Sequence, residues 1–176
     1  MSKSIGNVIS PFDLVERYGV DATRYLLLRH VHPFEDTDVT WEKMDEWYTA
    51  NLVNGLGNLT ARIMKMAEDN QVVFVSEKNI YLQDTSKAIA EYKFNDALNS
   101  IWFKIQHLDQ NITEEEPFKI VKLNPALGKA GIQKLVSGLF DVAYALTPFM
   151  PETSEKILNA IKENKKPENL FKRLDQ

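Results

Sequence analysis

The stretch WEKMDEWYTANLVNGLGNLTARIMKM, residues 41–66, decides the predicted fold. Its apolar side chains recur at intervals of three and four residues, which is the spacing of one face of an α-helix. These residues are Met44, Tyr48, Leu52, Leu56, Leu59, Ile63 and Met66. Thr40 precedes the stretch as a suitable N-cap. The pattern predicts one long helix, within which Gly55 and Gly57 indicate close packing, a kink or the approach of a ligand.

Helical periodicity also dominates the chain after this stretch. A second long helix is predicted from about Thr85 to Ile112, with its apolar face at every third or fourth residue. The pair Asn124-Pro125 predicts a further helix start, because asparagine caps a helix and proline fits its first turn. Pro148 is predicted to end that helix, and Pro151 to start a last one. Together these elements predict an all-α fold, an antiparallel helical bundle with short connections.

The N-terminal region is predicted to form a smaller unit. Ser10-Pro11 is a cap followed by proline and predicts the start of a short helix, and Gly19 suits its end. Asp21 is predicted to cap a second short helix. The stretch from His30 to Asp38 is predicted to be an acid-rich linker. It contains the predicted boundary between the N-terminal unit, residues 1–36, and the helical domain, residues 37–176.

Composition excludes several classes of protein. The 176 residues include 21 Lys and Arg against 25 Asp and Glu, a net charge of −4, and no cysteine. Disulfides and thiolate metal sites are therefore excluded, and because the three histidines have no cysteine partners we expect no zinc site. A wholly basic nucleic-acid binder is excluded, although a local basic face is not. We expect neither a signal peptide nor a membrane span, and the lack of cysteine fits a reducing cytoplasm.

Three polar residues follow one another at intervals of four along the first long helix. Asn54, Asn58 and Arg62, called here the polar row, are predicted to lie on one face, away from the apolar stripe. Two amides and a guanidinium in line can hydrogen-bond the edges of unpaired bases. No acid occurs between Trp47 and Ala67, which favours this interpretation. The alternative is an ordinary solvated polar face.

A second segment without acids extends from residue 117 to residue 140. It contains four lysines and opens with Phe118, which directly follows a proline. An exposed aromatic ring beside lysines can stack on a base while the lysines hold phosphates. The alternative is that Phe118 is tucked into the end of the bundle. The two acid-free segments could form one binding surface only if they face the same side.

The N-terminal residues Ser2, Lys3 and Ser4 place an ammonium group between two hydroxyls. A mobile lysine can follow the negative charge that moves during phosphoryl or nucleotidyl transfer. The alternative is a solvated polar tail.

Residues 1–29, MSKSIGNVISPFDLVERYGVDATRYLLLR, resemble the class I aminoacyl-tRNA synthetases from their KMSKS signature onward. Three further stretches are similar to the methionyl-tRNA synthetase family in particular: ANLVNGLGNLTARI at 50–63, ALNSIW at 97–102 and PFMPETSEKI at 148–157. The stretch ENLFKRLD at 168–175 resembles the LFPR segment that ends the family's core.

This resemblance implies a methionine–tRNA ligase, which attaches methionine to its tRNA using ATP and Mg²⁺. It implies recognition of the CAU anticodon of methionine and initiator tRNAs by Asn54, Asn58 and Arg62. Phe118 falls where the family usually has a tryptophan that stacks on an anticodon base. Lys3 matches the second lysine of KMSKS, which contacts the ATP phosphates while methionyl-adenylate forms.

The sequence departs from the family pattern at several points. The first lysine of KMSKS, the HIGH signature, the nucleotide-binding sheet and the metal-binding insertion are missing, and Asp109 and Asn111 stand where the family usually has Asn and Tyr. We therefore expect the C-terminal part of a synthetase, inactive by itself, without a cofactor of its own, monomeric and cytoplasmic. Its expected partners are methionine tRNA and the missing catalytic domain.

Two alternatives to this assignment stay open. The chain could belong to a synthetase for valine, isoleucine or leucine, against which the polar row argues. It could also be a helical protein-interaction module without RNA binding, which predicts no salt-sensitive RNA affinity.

Overall fold

The computed structural model of the protein describes residues 9–31, 36–74 and 82–174. All regular secondary structure in these ranges is helical. The helices are α1 (Pro11–Tyr18), α2 (Val20–His30), α3 (Trp41–Trp47), a π-helical segment (Tyr48–Gly57), α4 (Asn58–Asn70), α5 (Leu82–Ala90), α6 (Phe94–Glu115), α7 (Pro117–Leu123), α8 (Pro125–Leu146) and α9 (Pro151–Glu163). The predicted all-α fold is confirmed.

Helix α8 is the centre of the bundle. It packs against α4, α6, α7 and α9, and its inward face supplies buried residues along its whole length. Asn124 caps it as predicted, because its side-chain Oδ1 accepts a hydrogen bond from the backbone N–H of Leu127 at 3.2 Å. The start at Pro151 predicted for the last helix is also confirmed.

The first long helix is continuous but not uniformly α-helical. Thr40 caps it as predicted, through its Oγ1 and the N–H of Lys43 at 3.3 Å. The middle third is π-helical, which widens the turn between α3 and α4. Gly57 fits a close approach within the fold, since a Cβ there would lie 3.0 Å from the Leu52 carbonyl oxygen and 3.2 Å from the Phe171 ring.

The second long helix was predicted wrongly as one element. The structure breaks it into α5 and α6, separated by residues 91–93. Tyr92 adopts a left-handed backbone conformation with φ of 59°, and the N–H of Lys93 bonds back to the Ala88 carbonyl at 2.8 Å. This ending has the hydrogen-bond pattern of a glycine cap but contains no glycine, so composition gave no sign of it.

Helix α7 was not predicted at all. Glu116, with φ of 42°, ends α6, and Pro117 occupies the first position of α7. Gly128 lets α8 approach α7 closely, because a Cβ there would lie 2.2 Å from the Cα of Val121. This contact fixes α7, and with it Phe118, against the bundle.

The N-terminal helices confirm one predicted cap and correct another. Ser10 Oγ accepts from the N–H of Phe12 at 3.2 Å and begins α1, and Gly19 ends it with φ of 81°. Asp21 does not cap α2, which begins at Val20. Instead its buried Oδ2 accepts from the N–H of Thr153 at 2.7 Å, in the first turn of α9.

Helices α1 and α2 share the hydrophobic core of the bundle. Tyr25 is fully buried and stacks on Trp102 of α6 with ring centroids 4.3 Å apart. Arg24 donates to the carbonyl oxygens of Pro148 and Phe149, which follow α8. The predicted division into residues 1–36 and residues 37–176 is not decided by these contacts and stays a prediction. None of the helices in the described ranges is long and apolar enough to cross a membrane.

Candidate nucleic-acid interface

The three residues of the polar row are all exposed on one side of the first long helix. Asn54 lies in the π-helical segment, whereas Asn58 and Arg62 lie in the first two turns of α4. Asn54 and Asn58 line one small cavity, and Asn58 and Arg62 line a larger one. The row is thus continuous, and its apolar neighbours Leu56, Leu59 and Ile63 are buried as predicted. The polar face arises because the stripe that faces α8 leaves these positions to the solvent.

The larger cavity brings the two acid-free segments together. Its volume is about 490 Å³, and it contains both the end of the polar row and Phe118. Its described lining residues are Asn58, Ala61, Arg62, Lys65, Met66, Ile112, Phe118 and Lys166. The condition set by the sequence, that both segments face the same side, is met at this point of the surface.

Phe118 is partly exposed at the rim of this cavity. Its relative accessibility is 40%, while Pro117 before it is buried and anchors the start of α7. The ammonium of Lys119 lies 5.9 Å from the centre of the Phe118 ring. An aromatic face that is half open and fixed at its base can take a stacked planar group without prior rearrangement.

The charges around the cavity are cationic but partly compensated. Arg62 forms an ion pair with Asp109 of α6, and Lys65 pairs with Asp69 one turn along α4 at 2.6 Å. The hydrogen bond to Asp69 raises the pKa of Lys65. Lys166 lines the cavity from the C-terminal segment, whose backbone is tied to α4 by the Lys166 N–H and a Glu68 carboxylate oxygen at 3.0 Å. These ion pairs hold the side chains of Arg62 and Lys65 in defined positions at the cavity.

A small cavity of about 70 Å³ continues along the polar row toward Asn54. One wall is the C-terminal segment, which includes Glu168, Phe171 and Arg173. Phe171 is buried, and the hydroxyl of Tyr48 donates to the Lys172 carbonyl oxygen at 2.7 Å. The C-terminal segment therefore runs back beside the π-helical segment and frames the polar row.

Comparison with known proteins finds similarity to one family in both sequence and fold. The family model described as tRNA synthetases class I (M) matches residues 1–64. A methionine–tRNA ligase of Fusobacterium nucleatum is 32% identical over an alignment that covers 97% of this chain and 29% of the relative. A methionine–tRNA ligase of Brucella suis is 30% identical, with 92% of this chain and 34% of the relative covered.

Two solved structures agree with these relatives. Mycobacterium tuberculosis methionyl-tRNA synthetase in complex with methionyl-adenylate superposes with a TM-score of 0.73 and 28% identity, over 90% of this chain and 35% of that one. The apo form of the M. tuberculosis enzyme gives a TM-score of 0.80 at 22% identity, over 97% of this chain and 42% of that one, which shows the fold.

The chain is a methionyl-tRNA synthetase homologue. It spans about a third of the length of the curated relatives it matches. Those relatives are ligases, so the synthetase family predicted from the sequence motifs is confirmed. The roles of Asn54, Asn58, Arg62 and Phe118 are not tested by similarity alone and stay predictions.

Ser2, Lys3 and Ser4 lie outside the described residues, so the predicted ATP contact has no structural account here. Conversely, sequence analysis missed the ion pair between Asp109 and Arg62 and the positions of Lys166 and Arg173 in the two cavities. Asp109 was noticed only as a departure from the family pattern, and local sequence held no signal that it faces Arg62, 47 residues away.

Proposed function

We propose that this chain recognises the CAU anticodon of methionine tRNAs, including the initiator tRNA, as part of a methionine–tRNA ligase. The observation that supports this most is the cavity shared by Asn58, Arg62 and Phe118. These side chains come from two elements distant in sequence, and they combine the hydrogen-bonding groups and the aromatic face that recognition of an unpaired base needs.

In this proposal one anticodon base stacks on the open face of Phe118. The amide of Asn58 and the guanidinium of Arg62 hydrogen-bond the edges of bases that are splayed out of the loop. Lys65 and Lys166 lie at the same cavity and hold the backbone phosphates. Because the polar row lies on a packed helix, binding loses little conformational entropy, which favours discrimination between anticodons.

The wider activity follows as part of the same proposal. The curated relatives are methionine–tRNA ligases, which supports methionine, ATP with Mg²⁺, and tRNA as the substrates of the whole enzyme. This sequence has no HIGH signature. We therefore assign RNA recognition to this chain, with Lys3 as a contact to the ATP phosphates, and formation of methionyl-adenylate to a catalytic domain that partners it. The chain acts as a monomer.

A binding titration tests the proposal. The ligands are an anticodon stem-loop with CAU and a control with a different first anticodon base, each at two salt concentrations. Tighter binding of CAU that persists at the higher salt concentration is the expected result. Equal, salt-sensitive binding of both would show only a basic surface. Absence of binding to either would contradict the proposal.

Substitution localises the binding to the cavity. Asn58→Ala is expected to weaken CAU binding about five- to hundredfold, the loss for one base-edge contact whose partner is left unsatisfied. Asn159→Ala is the matched control, since Asn159 is an exposed helical asparagine that lines a different cavity. Equal affinities of the two variants for the CAU loop would contradict the assignment of Asn58.

A further inference from the structure

The polar row crosses a change of helix type. Asn54 lies within the π-helical segment, whereas Asn58 and Arg62 belong to α4. The backbone N–H of Asn58 bonds to the Val53 carbonyl, five residues back, which is the hydrogen bond of a π-helix. The wide π-helical turns therefore separate the first member of the row from the second, and ordinary α-helical turns separate the second from the third.

Burial along this helix repeats every four residues from residue 46 to residue 64. One series is buried, with at most 2% of each residue exposed: Tyr48, Leu52, Leu56, Thr60 and Met64. The series two residues out of step is exposed: Glu46, Ala50, Asn54, Asn58 and Arg62. In a uniform α-helix every fourth residue advances about 40° around the axis, so each series would rotate by about 160° from its first member to its last. The observed buried and exposed faces do not rotate in this way.

The π-helical turns explain why these faces stay constant. Hydrogen bonds to the carbonyl five residues back give more than four residues per turn, so an interval of four residues falls short of a full turn. In α-helical turns the same interval exceeds a full turn. The interval from Asn54 to Asn58 therefore offsets the one from Asn58 to Arg62. Asn54 and Arg62 lie in line, whereas a uniform α-helix would place them about 80° apart.

Contacts with other parts of the fold anchor the wide turns. The side-chain amide of Asn51 donates to the Trp47 carbonyl at 2.9 Å, the acceptor that the Asn51 backbone N–H would use in an α-helix. Arg29 of α2 donates to Asn51 Oδ1 at 3.4 Å. The Tyr48 hydroxyl ties the start of the segment to the Lys172 carbonyl. The π-helical geometry is thus held in place by tertiary contacts at its first turn.

We propose that the π-helical segment is a positioning element for RNA recognition, whose wide turns keep Asn54 in line with Asn58 and Arg62. Three side chains in line contact successive groups of one extended RNA strand, whereas a row that winds around the helix presents them in different directions. Short π-helical turns occur frequently at functional sites, which agrees with this role. The inference rests on the proposed anticodon recognition.

Position 55 provides a test of this geometry. In a uniform α-helix, residue 55 would lie within about 20° of Arg62, because seven residues make almost two turns. With the π-helical turns, Asn54 is in line and residue 55 lies to one side. An asparagine at position 55 can therefore replace Asn54 only if the helix is α-helical.

The experiment measures the affinity of the whole chain for the CAU stem-loop. Asn54→Ala is expected to weaken binding about five- to hundredfold, the loss of one base-edge contact. The double variants Asn54→Ala/Gly55→Asn and Asn54→Ala/Gly55→Ala are then compared. Both have a Cβ at position 55, which lies 3.2 Å from the Ala50 carbonyl oxygen, so they differ only in the amide. They should bind equally weakly, because the amide at position 55 lies beside the row.

A second measurement needs no RNA. In the free protein, NMR couplings transmitted through hydrogen bonds should join the amide nitrogen of Asn58 to the carbonyl carbon of Val53. A coupling from Asn58 to the Asn54 carbonyl instead would show an α-helical turn and overturn the inference. Thermal denaturation verifies that each variant is folded.

The possible failures are distinguishable. If Gly55→Asn restores affinity in the double variant, the row follows α-helical geometry, so the inference is wrong and the proposed function stands. The same holds if Asn54→Ala binds as tightly as a wild type that prefers CAU. A wild type that binds CAU no better than a loop with a different first anticodon base contradicts both.

Discussion

At the scale of single residues, Phe118 is the side chain whose surroundings best fit a single role. It is large, apolar and 40% exposed, although burial of such a side chain would stabilise the fold. Its backbone is nevertheless fixed by the buried Pro117 and by packing of α7 on α8. An apolar ring held rigidly at a cationic cavity is the arrangement that stacking on a base requires.

Replacing Phe118 tests this role. Phe118→Ala should weaken CAU stem-loop binding about five- to hundredfold, the cost of one lost base–aromatic stack. Phe118→Trp should bind at least as tightly as the wild type, because indole has a larger stacking face. Fluorescence anisotropy measures both affinities. A Phe118→Ala variant with unchanged affinity would show that the ring has another purpose.

Leu123→Ala is a suitable control for general apolar exposure on α7. Leu123 is 88% exposed, and it does not line the cavity. Its substitution should leave both RNA affinity and melting temperature close to those of the wild type.

At the scale of elements, the start of α9 depends on a residue from the other end of the chain. The first turn of a helix has N–H groups without partners inside the helix, and Asp21 satisfies that of Thr153. The negative charge also interacts favourably with the helix dipole. This buried contact joins α2 to α9. The N-terminal helices therefore contribute to the stability of the bundle.

Asp21→Ala should destabilise the protein by about 1–2 kcal/mol, the usual cost of a lost N-cap. For a domain of this size the melting temperature should fall by roughly 2–8 °C. Asp21→Asn should lose less, because its amide oxygen still accepts from Thr153. Asp13→Ala, at an exposed position in the first turn of α1, is the control. Equal melting temperatures for Asp21→Ala and Asp13→Ala would contradict the cross-chain cap.

Local signals in the sequence were sufficient for several helix starts. Ser10, Thr40 and Asn124 each form the predicted cap, because a cap needs only a side-chain acceptor two or three residues before its N–H donor. Asp21 was assigned to the wrong helix, since its partner Thr153 lies 132 residues away. Local spacing cannot predict a contact of that kind.

The candidate site was predictable to a similar extent. The exposure of Asn58 and Arg62 follows from the helical period, because the buried stripe determines which residues face the solvent. The position of Phe118 beside them depends on α7. This helix has only seven residues, too few for its hydrophobic periodicity to predict it from the sequence. The ion pair with Asp109 depends on how α4 and α6 pack, which is a property of the tertiary fold.

At the scale of the whole molecule, aromatic and cationic side chains join the N-terminal helices to the bundle. The His30 ring stacks on Trp47, with centroids 4.4 Å apart and planes 5° from parallel. The Arg29 guanidinium lies 4.7 Å from the Trp102 ring and also donates to Asn99. His30 Nε2 is buried and has no hydrogen-bond partner among the described residues, which disfavours the charged imidazolium.

This junction should make stability depend on pH. Burial, with a smaller contribution from Arg29, lowers the pKa of His30 to about 4 from an ordinary value of 6.5. The unfolded chain therefore binds a proton between these values that the folded protein excludes. The free energy of unfolding contributed by neutral His30 is fully present above about pH 6.5, and it is lost as the pH falls toward 4.

The melting temperature of the wild type should accordingly be lower at pH 5 than at pH 7.5. In His30→Phe, which keeps an aromatic ring against Trp47, the difference between the two pH values should shrink. His107→Phe is the control, because His107 is exposed on α6 and should leave the difference unchanged. If both variants show the wild-type pH dependence, His30 is not its source.

The central claim, that the polar row and Phe118 bind the anticodon, is tested most directly by NMR. The measurement follows the side-chain amide signals of asparagine, the Arg62 Nε–H and the Phe118 ring while a CAU stem-loop is added. The account predicts that Asn58, Arg62 and Phe118 shift together and saturate at the same RNA concentration, while Asn159 stays unchanged. Shifts confined to other surfaces, or none at saturating RNA, would contradict it.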